Sequence, residues 1–281
     1  MSAVSVCEAP SGQSGWWPEG TIPVPTSDGR FDYLWLGTRP YTEMLAEQER
    51  LVGLRSSGEL GETLLLLEHP PTYTRGRRTG EGELGEPEAH RERGIEVVDT
   101  PRGGGVTYHG PGQLVAYPVF DLGQLGHQPR VSNRFDVKAF VNALEGAMVE
   151  ALAEAGVRAC SLPGLTGIWA GEAVQDSGTP ADPGQSIATG QLKKIGSLGL
   201  RISRGISSHG ISINVDLDLE PFGQVTACGI EDCEATSIRA ETGTSPPVGE
   251  VGVGLALALG RILGLETREI EALPPDLAST A

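Results

Sequence analysis

The sequence predicts an α+β fold, in which a mixed, mostly antiparallel sheet is flanked by helices gathered on one side. Segments with strand character outnumber those with helical spacing, and the helical patterns are few and long. The glycine clusters sit between β-forming residues instead of making linkers. With 281 residues the chain is long enough for a proper core.

Residues 1–30 mix Ser, Gly, Pro and Thr without a sustained period, and are expected to form a mobile tail. Residues 31–36 alternate as a strand. From 40 to 54, Tyr41, Met44, Leu45, Leu51 and Val52 recur at helical spacing until Ser56-Ser57-Gly58 ends the pattern. The continuous apolar run at 63–68 reads as a buried strand, which must leave through His69-Pro70-Pro71 in extended or turn geometry. Residues 75–92, charged and Gly-rich, read as a surface loop, and 95–98 as another strand. Ser132 or Asn133 is placed to cap a helix over 134–156, with Phe140, Leu144, Met148 and Leu152 on one face.

Residues 167–171 read as a strand whose continuation is interrupted by a Ser/Gly/Pro/Asp-rich insertion at 173–191, expected to be disordered. Residues 193–202 and 208–215 then read as paired strands joined near Arg204-Gly205. Thr236 is placed to cap a short helix through Glu241, and 248–264 form a terminal helix in spite of four glycines. One domain over 31–265 follows, with 266–281 as a C-terminal tail.

Between these strands lies the stretch Arg102-Gly-Gly-Gly-Val-Thr-Tyr-His-Gly-Pro-Gly-Gln113, with five glycines in twelve residues. It reads as a glycine-rich turn, a short strand, a tight turn at Gly110-Pro111-Gly112 and a longer strand. Such glycines let a backbone approach a ligand closely, with Arg102, Tyr108 and His109 pointing at it. A structural hairpin with incidental polar residues is the plain alternative. Thirty-seven acidic against twenty-one basic residues, net −16, argue against a general nucleic-acid binder and against an anionic membrane surface. The N-terminus lacks a signal-peptide pattern and no apolar run approaches membrane-spanning length, so a soluble, cytoplasmic protein is expected.

Four cysteines, Cys7, Cys160, Cys228 and Cys233, make no disulfide framework in that setting, and Cys228-x4-Cys233 lacks the second ligand pair of a zinc site. Cys228 follows Ala227 and precedes Gly229 in a turn-like context. A thiolate nucleophile there needs electropositive company, which Lys194, Arg201, His109 or His209 could supply; a small buried hydrophobe is the plain reading. Lys193 and Lys194 are consecutive, so on a strand one can look inward and the other outward, although an exposed pair is the plain reading. His90 and His127 read as structural. A serine-hydrolase elbow is absent, and strands follow the glycines where a dinucleotide fingerprint would need a helix.

Taken together, Glu68-His-Pro-Pro71, the 102–113 stretch, Lys194-Ile-Gly-Ser-Leu-Gly-Leu-Arg201, His209-Gly210 and Cys228-Gly-Ile230 resemble the lipoyl(octanoyl) transferase family of the biotin/lipoate protein ligase superfamily, in the family's order and over about 33–265. The resemblance implies a biotin/lipoate-ligase-like catalytic domain. It also implies transfer of an octanoyl group from octanoyl-acyl carrier protein to a lysine of lipoyl domains, those of 2-oxoacid dehydrogenase E2 subunits and the glycine cleavage H protein. No cofactor or metal is implied, and no partnership with nucleic acid or membrane. Cys228 would be the nucleophile and carry an acyl thioester. Lys194 would favour the thiolate and shuttle protons. Arg102, Gly103, Gly104, Gly105, Val106, Thr107, Tyr108 and His109 would line the acyl site with Ser197, Leu198, Gly199, Gly210, Ile211 and Ser212.

Ala227 stands where the family has proline, and the 173–191 insertion is expected to loop out. An acidic carrier facing an acidic enzyme calls for a local basic patch, with Arg75, Arg77 and Arg78 as candidates. An ATP-dependent lipoate or biotin ligase, a lipoyl-domain amidotransferase and a non-catalytic acyl-binding relative are the rival readings.

Overall fold

The structure, a computed structural model, describes residues 29–125, 136–171, 186–187, 189–225 and 233–273. Strand β1 (Arg30–Thr38) leads through helix α1 (Tyr41–Ser57) to β2 (Thr63–Glu68), which lies parallel to β1. Joining parallel neighbours needs such a crossover. Gly58, in the left-handed region at φ 83, ends α1. β3 (Thr72–Arg75), α2 (Pro87–Glu92), β4 (Glu96–Asp99) and β5 (Val106–His109) follow, and their strands make a small sheet in the order β4-β3-β5. β6 (Gln113–Val119) then returns beside β2, antiparallel to it.

After a short turn of helix, α3 (Leu122–Leu125), the chain forms α4 (Val137–Glu154), β7 (Ala159–Leu162), β8 (Leu165–Gly171), β9 (Leu192–Ser203) and β10 (Ile206–Asn214). It ends with α5 (Ile238–Thr242), α6 (Val248–Leu263) and β11 (Glu266–Glu269). The main sheet has eight strands in the order β11-β1-β2-β6-β10-β9-β8-β7. Within this sheet only the β11–β1–β2 edge is parallel among the described strands.

Helices cover this sheet on both faces, not on one. Leu64 and Leu66 of β2 join the core that α4 and α6 build from Phe140, Leu144, Met148, Leu255 and Leu259. Leu65 and Leu67 point the other way and pack with Met44 and Leu51 of α1. The unbroken run of four leucines has this physical meaning: a strand apolar on both sides must be covered on both. Each of the four is fully buried, which contributes roughly 1.5–3 kcal/mol per side chain. A buried ion pair between Arg55 and Glu62, bidentate at 2.7 and 3.0 Å, ties the end of α1 to the entry of β2. Glu62 also accepts the Asp121 amide at 2.9 Å.

The expected elements form with local differences. Residues 75–92 are not a plain loop: they begin in β3 and end in α2, whose first turn holds Pro87. Asp136 caps α4, accepting the Ala139 amide; Ser132 and Asn133 lie outside the described residues. Ser237, not Thr236, caps α5, because the Ser237 oxygen accepts the Ala240 amide. Residues 266–269, read from the sequence as tail, pair with β1 as β11. Part of the insertion packs inward, since Ile187 is buried with Cys160, Leu162, Trp169 and Leu192. None of the described helices is long and apolar enough to cross a membrane.

Where β10 crosses β6 the two backbones come unusually close. A Cβ at Gly210 would fall inside the van der Waals shell of the Ala116 carbonyl oxygen, with Pro118 Cδ at 2.9 Å. Gly210→Ala should therefore destabilise by about 1–3 kcal/mol, the range for an overpacked core. Its thermal midpoint should drop by roughly 2–4 °C per kcal/mol. Gly223, with nothing within 4 Å of its Cβ position, is the control whose alanine variant should melt with the wild type.

Candidate active site

A narrow cleft of about 50 Å³ opens where α1, the small sheet and the β6–β10–β9 part of the main sheet meet. Arg102, Gly104, Gly105, Val106, Thr107 and His109 line one wall; Ser197, Leu198, Gly199, Gly210, Ile211 and Ser212 line the other. Two residues assigned to the acyl site by resemblance do other work. Gly103 spends its amide on the Leu200 carbonyl at 3.0 Å, and Tyr108 packs on Tyr73, ring centroids 5.3 Å apart, in the core of the small sheet. Tyr41, Val115, Tyr117 and His209 complete the lining without having been assigned to it.

Glycine sets the width of this cleft. The 102–105 loop is sandwiched between the 76–78 turn and β9, held by Arg77 N–H on the Arg102 carbonyl at 3.1 Å and Arg78 N–H on the Gly104 carbonyl at 3.0 Å. A Cβ at Gly199 would stand 2.9 Å from the Gly103 oxygen, so the two walls meet backbone to backbone. Arg102 is fixed by its own bonds: its guanidinium donates to the Thr74 hydroxyl at 2.8 and 3.1 Å and to the Thr74 carbonyl at 2.7 Å. Glu68 of the Glu-His-Pro-Pro motif accepts the Gly112 amide at 2.6 Å and so closes the tight turn between β5 and β6.

A cluster of rings stands behind the cleft. Tyr41 stacks on His109 at 5.6 Å and tilts against His69 at 4.8 Å. His69 donates from Nδ1 to the Arg39 carbonyl at 2.6 Å, which leaves Nε2 to accept from the Tyr117 hydroxyl at 2.7 Å. His109 Nδ1 lies 2.7 Å from the Gln113 side-chain oxygen, and its Nε2 lies 3.4 Å from the Thr74 hydroxyl. His209 sits in the left-handed region at φ 55, its amide held by the Gln48 oxygen at 2.6 Å. Its Nδ1 is buried with no hydrogen-bond partner among the described residues.

Burial dominates the electrostatics here. It lowers His69 to about 4, and lowers His209 to about 4 with help from Arg102 and Arg201. It lowers His109 to about 3, with His69 and Arg102 adding to the effect. The Tyr117 and Tyr41 hydroxyls are pushed up by the same loss of water. Apart from Arg102, whose guanidinium is held by the Thr74 and Gly103 oxygens, the cleft is thus lined by neutral groups.

Lys194 lies on β9 beyond one end of this wall. Lys193 turns outward to pair with Glu234 at 3.2 Å, while Lys194 is buried, its amine 5.6 Å from the centre of the Trp169 ring. Alternation along the strand produces that split. Gly167, at φ 116, makes room for the lysine stem, since a Cβ there would stand 2.9 Å from Lys194 Cε. The backbone of Lys194 is held by residues 234–236: its amide donates to the Glu234 carbonyl at 2.8 Å, and its carbonyl accepts from Thr236 at 2.9 Å. Cys228 and its neighbours Ala227, Gly229 and Ile230 lie outside the described residues.

Of the three arginines expected to form a basic patch, Arg75 is paired with Asp99 at 2.7 Å. Arg77 and Arg78 are exposed beside the glycine-rich loop. Cys160 is a buried hydrophobe, and His90 holds the Leu84 carbonyl at 2.6 Å, both structural. His127 lies outside the described residues.

The three histidines of this ring cluster and cleft, His69, His109 and His209, give the protein a pH signature. Each titrates lower in the fold than the ordinary 6.5, so the unfolded chain binds more protons in between. Their contribution to stability is complete above about pH 6.5 and is lost as pH falls toward 4, and toward 3 for His109. Each ring carries about 1.4 kcal/mol per pH unit in that window. The urea midpoint should therefore drop steadily between pH 6.5 and 4.5, and His69→Gln should flatten that slope.

The profile of the lipoyl protein ligase A/B catalytic domain matches residues 40–259. The chain is 40% identical over 240 residues to an octanoyltransferase of Chloroflexus aggregans, covering 85% of this chain and 96% of that one. It is 38% identical to an octanoyltransferase of Mycolicibacterium smegmatis, over 80% of this chain and 85% of that protein. It is 38% identical to a mitochondrial octanoyltransferase of Arabidopsis thaliana, over 77% and 81%. Among solved structures, a bi-partite lipoate protein ligase from Thermoplasma acidophilum superposes with a TM-score of 0.63 over 88% of each chain at 18% identity. Lipoate-protein ligase A bound with ATP does so at 0.60, over 88% and 90%, also at 18%. The ligases share the fold, and the sequence relatives carry the name: this chain belongs to the octanoyltransferase family, within the lipoyl protein ligase A/B catalytic domains.

Proposed function

We propose that the protein moves an octanoyl group from octanoyl-acyl carrier protein to a lysine amine of a lipoyl domain, by way of an acyl thioester on Cys228. The observation that carries this reading is Lys194. Its amine is buried against Trp169, on the same strand whose residues Ser197, Leu198 and Gly199 line the cleft. The cleft, narrow and lined largely by glycine backbone and neutral side chains, suits an unbranched apolar chain.

In the first step the Cys228 thiolate attacks the donor thioester carbonyl, and the carrier thiolate leaves with the electron pair and takes up a proton. One thioester replaces another of similar energy, so no ATP is consumed. In the second step the acceptor amine attacks the enzyme thioester, an amide forms, and the C–S bond breaks. Lys194 as an ammonium favours the thiolate, and in its neutral form takes the proton that the incoming amine must lose. The acceptors are the lipoyl domains of 2-oxoacid dehydrogenase E2 subunits and the glycine cleavage H protein.

Incubation with octanoyl-acyl carrier protein without ATP, followed by intact mass spectrometry, tests the reading. The wild type should gain one octanoyl mass that hydroxylamine removes, and Cys228→Ser should gain none under the same conditions. Lys194→Ala should slow transfer by about 10²–10⁴-fold, the range for a lost general acid–base group. A protein that stays unmodified but forms octanoyl-adenylate from ATP would be a ligase, and the proposal would fail.

A further inference from the structure

Asn214 is the last residue of β10 and stands directly opposite Gln113, the first residue of β6. At this point β10 parts from β9, where the pairing ends at Ile213 opposite Gly196. Lys194 lies two residues further along β9, and the side that β10 has left is taken by residues 234–236, with Ala235 bridged to Lys194 in parallel. The gap between β10 and this new segment is spanned by the Asn214 side chain, whose Nδ2–H donates to the Thr236 carbonyl at 2.9 Å. Asn214 itself is buried.

The same side chain ends a row of hydrogen bonds that begins in the cleft wall and keeps one direction throughout. Arg102 donates to the Thr74 hydroxyl, which faces His109 Nε2. His109 Nδ1–H donates to the Gln113 oxygen at 2.7 Å, and Gln113 Nε2–H donates to the Asn214 oxygen at 2.9 Å. Asn214 donates to Thr236, and the Thr236 amide donates to the Lys194 carbonyl at 2.9 Å. Each amide is oriented by the donor before it and the acceptor after it, so neither can turn over without breaking two bonds. The Thr74 and Lys194 ends of the row lie on different sheets, and the row joins them.

We propose that Asn214 is a positioning residue for Lys194. By gripping Thr236 it seats the 234–236 segment on β9, and that seating sets where the Lys194 amine stands relative to Trp169 and the cleft. The catalytic part of this inference rests on the reading of Lys194 as the proton-carrying group; the structural part does not. Asn214→Leu removes both side-chain bonds while keeping the branched shape and the same number of heavy atoms, though in a bulkier side chain, and Asn214→Ser removes the amide with a polar, smaller side chain should the leucine variant not fold.

Residue-resolved amide hydrogen exchange on the full-length protein gives the first readout. The Lys194 and Thr236 amides should exchange at least about tenfold faster in the variants, while amides of the β9–β10 ladder at Leu198 and Ile211 keep their wild-type rates. Steady-state kinetics give the second: kcat should fall by about tenfold or more with KM for the acyl donor within about twofold, as expected for a misplaced group that does not bind substrate. Unchanged exchange at Lys194 and Thr236 would overturn the proposal, as would faster exchange spread evenly along β9 and β10. If the wild type transfers no acyl group at all, the functional reading falls, and the exchange data still decide whether Asn214 holds the segment.

Discussion

The architecture turns on one close approach, in which the 102–105 loop lies between the 76–78 turn on one side and β9 on the other, largely backbone to backbone. The small sheet is also fastened by the side-chain row from Thr74 to Asn214 and by the Tyr73 hydroxyl on the Pro221 carbonyl. Its strands β3 and β5 are short, and their own core is modest, built around Tyr73, Val106, Tyr108 and Leu217. Backbone amides of Gly76, Arg77, Arg78 and Gly103 make the joint, each on a carbonyl of the facing segment. Side chains at these glycines would force the layers apart and widen the cleft between them. The distance between the two sheets is thus fixed by peptide geometry, which is stiffer than any packing of side chains.

That rigidity explains how so many polar groups can be buried beside an apolar slot. Thr74, His69, His109, Gln113, His209 and Asn214 all lie within the protein. Most of them are satisfied by neutral partners rather than by charge, and the one cation among them, Arg102, is surrounded by the oxygens of Thr74 and Gly103. Neutral histidines serve such a wall better than charged ones, because an imidazolium facing Arg102 would be repelled as well as desolvated. Lys194 is kept apart from these groups, its amine over the face of an indole.

Much of this was legible in the residues. Glycines spaced between β-formers announced a close backbone approach, whereas the paired lysines read most plainly as an exposed pair and only strand alternation left room for a buried Lys194. The continuous leucine run announced a strand covered on two sides, although the helices that cover it looked as if they shared one. Tyr41 and Tyr117 were hidden because each sits in an ordinary amphipathic or apolar pattern, and only the crossover of α1 over β6 brings them to His69 and His109. Gln113, Asn214 and Thr236 were hidden for another reason: strand-end polar residues are common, and their meaning depends on a register that sequence pattern does not specify. The short strand β3 and helix α2 vanished into a charged, glycine-rich composition too brief to show a period.

The pairing of β11 with β1 has a consequence for the order in which the molecule can be made. β1 is among the earliest of the described elements to leave the ribosome, and one of its two neighbours is the last. Until residue 266 and its successors have emerged, one side of β1 presents unpaired amides and carbonyls, the kind of open border that recruits foreign strands. A nascent chain arrested before that point would have its core and most of its cleft assembled yet still carry an adhesive margin. Once residues 266–269 have emerged, β11 takes the place of β1 as the border strand along residues 30–33.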